Sequence, residues 1–138
     1  MKTLVLLEED REGRETLSGV LRQMGYSVIP AGSEEAALKA VGSARTVHLV
    51  LAGAVDHDRL AFMADVREQR PRMPLLLLTE HCEPESRLRG LIYGAFAALS
   101  GRNVYINVRP FSLVELADLL RCVLRGRRAA GKLHLAAA

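Results

Sequence analysis

The sequence is poor in the residues on which several classes of protein depend. It has no tryptophan, three tyrosines and three phenylalanines, so the aromatic side chains that stack on nucleobases are scarce. The two cysteines, Cys82 and Cys122, are too few for a disulfide framework and are typical of a reducing compartment, which predicts a cytoplasmic protein. No apolar run approaches the roughly 20 residues that a membrane-spanning helix needs. The composition therefore favours a globular domain that acts away from the membrane.

The net charge of +3 has its source at the C-terminal end of the chain. From residue 121 onward there is no acidic residue, and the basic residues are Arg121, Arg125, Arg127, Arg128 and Lys132. Cations complement the dipole at the end of a helix, so this pattern predicts a solvated helix end and no direct contact with nucleic acid. We predict one domain over residues 1–126. We expect the tail of basic and small residues, 127–138, to be disordered or foreign to the native chain.

Short apolar runs alternate with helical patterns five times. The predicted strands are Thr3–Leu7, Tyr26–Ala31, Val47–Gly53, Leu75–Thr79 and Val104–Val108. Because these runs are nearly continuous and short links join them to helices, they predict a parallel sheet with helices on both faces. This is a doubly wound α/β fold, a three-layer sandwich. Pro30 near the end of the second strand predicts that this strand lies at an edge.

Capping residues mark the starts of the predicted helices. Asp10, Ser33 and Ser112 each precede a helical pattern, and Asp58 is a candidate cap for the third helix. A further helix is expected over residues 84–99. The last helix carries a predicted apolar stripe, which consists of Leu113, Leu116, Leu120, Val123 and Leu124.

Ligand sites in such sheets lie beyond the carboxyl ends of the strands. The residues at these ends therefore decide the function. They are Glu8, Glu9 and Asp10 after the first strand, Gly53 to Asp58 after the third, Thr79 to Cys82 after the fourth, and Arg109 and Pro110 after the fifth.

The motifs at these strand ends occur in an order that is typical of one protein family. LVLLEED followed by a capped helix and GYSV, then LLLLT, then VRPFS, resembles a response-regulator receiver domain over roughly residues 1–125. The resemblance implies a flavodoxin-like sheet of five parallel strands and a role in two-component signalling. In that family an acidic pair binds Mg²⁺, and an aspartate ending the third strand accepts a phosphoryl group from a histidine kinase. A hydroxyl after the fourth strand and a lysine after the fifth contact the phosphoryl oxygens.

The resemblance also shows what this chain lacks. Glu8 and Glu9 fall on the acidic pair and Thr79 on the hydroxyl, but Gly53 falls on the phosphoacceptor and Arg109 replaces the lysine. A shift of the alignment by one residue would place Ala52 or Ala54 there, with the same consequence. Glycine cannot be a nucleophile, so we predict a degenerate receiver that is not an enzyme. Arg109 is expected to pair with Glu8 or Glu9.

The surface that receivers typically use for partners is also altered. Between Thr79 and Arg109 the chain is about eight residues longer than is usual, roughly two turns of helix. The resemblance implies a partner surface that includes Tyr105, Ile106 and Phe111. We therefore expect the domain to act by docking to a protein, either a histidine kinase or a downstream signalling protein. Receivers also often form homodimers.

Two alternatives remain open from the sequence. Asp56 or Asp58 could serve as a displaced phosphoacceptor in a receiver that still uses Mg²⁺. His57, His81 and Cys82 could instead form a metal- or ligand-sensing site with Glu8 or Glu9, since imidazole, thiol and carboxylate all bind Zn²⁺. Both alternatives place their chemistry at the same edge of the sheet.

Overall fold

A parallel sheet of five strands forms the centre of the fold. The computed structural model of the chain describes residues 1–53, 59–79, 104–108 and 112–125. The strands are β1 (Thr3–Leu7), β2 (Ser27–Ala31), β3 (Leu49–Gly53), β4 (Leu75–Thr79) and β5 (Val104–Val108). Their order in the sheet is β2-β1-β3-β4-β5, and all pairs are parallel. The predicted doubly wound fold is thus confirmed, and β2 is an edge strand as Pro30 predicted.

Helices follow the strands at the positions that their caps predict. Those described are α1 (Arg11–Gln23), α2 (Glu34–Ser43), α3 (Leu60–Gln69) and α4 (Leu113–Leu124). Asp10, Ser33 and Ser112 each accept a hydrogen bond from the backbone N–H three residues on, at 2.8, 3.1 and 3.0 Å. These bonds satisfy donors that the first turn of a helix leaves without a partner. The helix predicted over residues 84–99 and the tail 127–138 lie outside the described residues.

Alternation along the strands divides the core into two layers. Val5, Leu7 and Val50 face one side, where they contact buried residues of α2 and α3 that include Val41 and Met63. The side chains between them face the other side and meet α1 and α4. These are Leu4, Leu6, Leu49 and Leu51, packed with Leu21, Leu116 and Leu120. Strands buried on both faces explain why the runs are apolar throughout.

Two details of the helices differ from the sequence prediction. Arg59 is the N-cap residue of α3 and makes no side-chain capping bond, whereas Asp58, the predicted cap, lies outside the described residues. Leu113, predicted in the apolar stripe of α4, is 56% exposed, whereas Leu119, which was not in that stripe, is buried. Leu113 is the first residue of α4, at the margin of the stripe. Among the described helices, none is both long and apolar enough to cross a membrane.

Burial in the two-layer core predicts how strongly the truncation of a side chain lowers the free energy of unfolding. Leu51 is fully buried in β3, and Leu51→Ala should lower the free energy of unfolding by about 2–5 kcal/mol, because it leaves a cavity between the sheet and its helices. The matched control is Leu113→Ala at the exposed start of α4, which should cost less than about 1 kcal/mol. Urea denaturation measures both. Equal losses would contradict the assignment of Leu51 to the core and of Leu113 to the surface.

Candidate functional site

The carboxyl ends of β1 and β3 lie side by side. Leu7, the last residue of β1, is paired with Ala31 of β2 on one side and with Ala52 of β3 on the other. The backbone N–H of Glu8 donates to the Ala31 carbonyl at 3.0 Å and extends the ladder by one residue. Glu8, Glu9 and Gly53 therefore meet at one edge of the sheet, where the sequence placed them.

Gly53 lies against the carboxylate of Glu8. It is a strand residue, so its backbone conformation is open to any amino acid. The space is not open, since a Cβ added at Gly53 would overlap Glu8 Oε2. The Glu8 side chain thus fills the volume from which a phosphoacceptor side chain would start. A side chain at residue 53 would therefore require the flexible end of the Glu8 side chain to move, whereas the backbone would accept it.

The same carboxylate also lies close to α1. A Cβ on Gly13 would be 3.3 Å from Glu8 Oε1 and 3.0 Å from Asp10 Oδ2. Glycine at position 13 therefore lets the first turn of α1 approach the two acidic residues closely. One guanidinium nitrogen of Arg14 donates to the Glu8 carbonyl at 2.9 Å and fixes the backbone at the end of β1.

The most buried polar group at this edge is the guanidinium of Arg59, whose side chain is only 4% exposed. Its Nε donates to the Gly53 carbonyl at 2.8 Å. The two terminal nitrogens bind one carboxylate each, Glu34 Oε2 at 2.8 Å and Glu9 Oε1 at 2.6 Å. Arg59 therefore connects the ends of β1 and β3 with the start of α2, while its own backbone begins α3.

Opposite effects act on the protonation of Arg59. Burial lowers the pKa of its guanidinium, but the hydrogen bonds and charges of Glu34 and Glu9 outweigh burial, and the pKa is raised above its ordinary value. The carboxylates are 43% exposed at Glu9 and 39% exposed at Glu34, so solvent still screens the pairs. Arg59 is a permanent positive charge at this edge, held by charge-assisted hydrogen bonds.

These contacts do not fit the Mg²⁺ ion that a receiver site implies. Glu8 and Glu9 are neighbours in sequence, yet the first lies against Gly53 and the second binds Arg59. Gly53 supplies no carboxylate, and a fixed cation already contacts Glu9 and Glu34. Within the described ranges, no group of three His, Cys, Asp or Glu side chains is arranged to hold a metal ion. The residues at this edge are organised around a guanidinium.

Three of the predicted site residues lie in the strands that were predicted to hold them. Thr79 ends β4, and Tyr105 and Ile106 lie in β5, the edge strand opposite β2. Other predictions fall on residues that the structure does not describe: Asp56, His57, Asp58, His81, Cys82, Arg109 and Phe111. The ion pair expected between Arg109 and Glu8 or Glu9 thus stays a prediction, whereas the pair that the structure describes at Glu9 is with Arg59.

Arg59 is the residue of this edge that the sequence did not predict. The signal available was an arginine directly before an apolar helix, six residues after a strand end that faces two glutamates. Arginine in a loop is usually solvated, and nothing in its sequence neighbours shows that it turns inward. Only the packing of α2 and α3 on the sheet places Glu34 beside it.

Comparison with known proteins places these features in a family. The sequence profile described as "Flagellar regulatory protein FleQ" matches residues 2–99. The transcriptional regulatory protein PmrA of Pectobacterium parmentieri is 31% identical over 123 residues, which are 88% of this chain and 52% of that protein. The response regulator MprA of Mycobacterium avium is 32% identical and covers 88% of this chain and 50% of its own length. The chain spans about half the length of these curated relatives.

Solved structures match the fold at low sequence identity. A response regulator receiver domain from Clostridium thermocellum superposes with a TM-score of 0.74 and 14% identity, covering 91% of this chain and 96% of that one. The chemotaxis protein CheY4 of Vibrio cholerae gives a TM-score of 0.68 and 23% identity, covering 89% and 98%. At these identities the likeness concerns the fold alone.

The contact between Glu8 and Gly53 can be tested by a double-mutant cycle. Gly53→Ala in the wild type should be neutral or destabilising, because the new methyl group displaces the Glu8 carboxylate and offsets the entropic gain of removing a glycine. In a Glu8→Ala background the same change should stabilise the fold by about 0.5–1 kcal/mol. Urea denaturation of the four proteins gives the coupling energy. Additive effects would show that Glu8 does not occupy the space beside Gly53.

Proposed function

Since this chain belongs to the family of the flagellar regulatory protein FleQ and is a receiver domain of the two-component response-regulator type, we propose that it signals without phosphorylation at the usual position. In this proposal the domain is a pseudo-receiver. Its fold is kept as a surface for docking to another protein, and the edge of the sheet that performs phosphoryl transfer in the family has become structural.

One observation carries the proposal: Gly53 ends β3, and the carboxylate of Glu8 fills the space that its side chain would need. In-line phosphoryl transfer requires a carboxylate held at a fixed position beside a metal ion. Glycine supplies neither the nucleophile nor a ligand. The neighbouring cation, Arg59, is held by Glu9 and Glu34. A role in catalysis is therefore not part of the proposed function.

Exposed apolar side chains support docking through the face near β5. Leu113 and Val114 begin α4 with 56% and 69% of their surfaces exposed. They follow β5 closely in sequence, and β5 holds Tyr105 and Ile106, which the receiver resemblance assigns to the partner surface. Contiguous exposed apolar surface can mark a protein–protein contact, and these two side chains would contribute to such a surface. A homodimer and a heterologous partner would both use such a surface.

The partner in the proposal is a signalling protein, either a histidine kinase or a component downstream of it. Relatives are described as transcriptional regulatory proteins and as response regulators, and they are about twice as long as the region they share with this chain. We propose that the receiver contributes regulation to such a system. It would do so through protein contacts and without binding nucleic acid or membrane itself.

The proposal predicts the outcome of a phosphorylation assay. After incubation with Mg²⁺ and acetyl phosphate, the intact mass of the protein should be unchanged, because no carboxylate lies at the end of β3. A receiver with an intact phosphoacceptor, treated in the same tube, shows that the reagent is active. A gain of one phosphoryl group that depends on Mg²⁺ would contradict the proposal.

Two variants would locate the reaction if that gain occurred. Loss of labelling in Asp56→Ala or Asp58→Ala would establish the displaced phosphoacceptor that the sequence left open. Metal analysis of the purified protein tests the remaining alternative, a site formed by His57, His81 and Cys82. Stoichiometric zinc would support a sensing module, and its absence would remove that alternative.

A further inference from the structure

Arg59 supplies positive charge at the edge of the sheet where the receiver resemblance implies a metal ion. The edge collects the carboxylates of Glu8, Glu9 and Glu34 around the ends of β1 and β3 and the start of α2. Like charges brought close together disfavour one another, and a cation between Glu9 and Glu34 stabilises both in their charged form. In the described part of the chain, Arg59 provides that cation from within the protein.

The geometry points to Arg59 as a built-in replacement for the divalent ion, and we propose that the receiver fold is complete without metal because this guanidinium neutralises Glu9 and Glu34. The inference concerns the same edge as the proposed function, but it does not depend on whether any residue is phosphorylated. A protein that accepts no phosphoryl group could still bind Mg²⁺, so the two ideas can fail separately.

Three features of Arg59 distinguish it from an ordinary surface ion pair. Its side chain is 4% exposed, against 84% and 69% for the pair of Arg11 and Glu15 on α1. Its planar fork binds two different carboxylates, and its Nε binds the Gly53 carbonyl, the backbone of the phosphoacceptor position. A guanidinium presents several donors in fixed directions, whereas a lysine ammonium does not match that geometry. The contacts are those of a structural cation.

The inference is consistent with a glycine at residue 53. A carboxylate on residue 53 would add a negative charge and would overlap Glu8. A guanidinium carries one positive charge where Mg²⁺ carries two, so it balances fewer carboxylates. A glycine at residue 53 and a buried arginine at residue 59 are thus compatible: the edge carries no acid at residue 53, and its cation cannot dissociate.

The test is a thermal unfolding series with and without Mg²⁺. If the wild type bound Mg²⁺ with a Kd of about 1 mM, 10 mM Mg²⁺ would raise Tm by roughly 4–6 °C. We expect no rise beyond that produced by KCl at matched ionic strength. Arg59→Met should lower Tm by roughly 5–12 °C, because Glu9 and Glu34 then face each other without the guanidinium. Mg²⁺ should restore several degrees of this loss.

Matched variants make each result decisive. Arg11→Met removes the same charge from the exposed pair on α1 and should leave Tm and its indifference to Mg²⁺ unchanged. Arg59→Lys keeps the charge, so it should be somewhat less stable and still indifferent to Mg²⁺; it also serves if Arg59→Met does not fold. A Mg²⁺-specific rise in Tm for the wild type or Arg59→Lys would overturn the inference. A folded Arg59→Met that gains no response to Mg²⁺ would overturn it as well.

Discussion

The hydrogen-bonded ion pairs of Arg59 connect several elements of this domain at the carboxyl edge of the sheet. One buried side chain binds the end of β3, the end of β1 and the start of α2, and its backbone begins α3. Charge-assisted bonds to partly exposed carboxylates are individually modest, but an unpaired buried guanidinium would be costly. The positions of α2 and α3 relative to the strand ends therefore depend on keeping Glu9 and Glu34 in place.

Gly53 and Glu8 lie beside each other at the same edge of the sheet. Side chains alternate along β1 and β3, so Glu8 and Gly53 continue the face that contacts α1, while Glu9 turns towards α2 and α3. Glu8 therefore lies beside Gly53, whereas Glu9 binds Arg59. This division is compatible with a structural role for each carboxylate, as the proposed function requires.

The sequence predicted the fold well because its signals are local. The bounds of β1, β4 and β5, the capping bonds of Asp10, Ser33 and Ser112, and the edge position of β2 follow from apolar runs, capping side chains and Pro30. The absence of an acid at Gly53 could also be read from the sequence. The buried position of Arg59 could not be predicted, because the inward direction of its side chain depends on Glu34, which is 25 residues away in sequence. Leu113 was misplaced because helical periodicity does not show how much of the first turn of a helix is covered.

The most direct test of this account is the side-chain NMR signal of the Arg59 Nε–H group in the wild-type protein, assigned by its disappearance in Arg59→Lys. The account predicts a signal protected from exchange with water, since the group donates to the Gly53 carbonyl in a buried position. It also predicts that Mg²⁺ and acetyl phosphate leave the signal unchanged. A rapidly exchanging signal, or one that shifts saturably as Mg²⁺ is added, would show that the guanidinium is not the fixed cation of this edge.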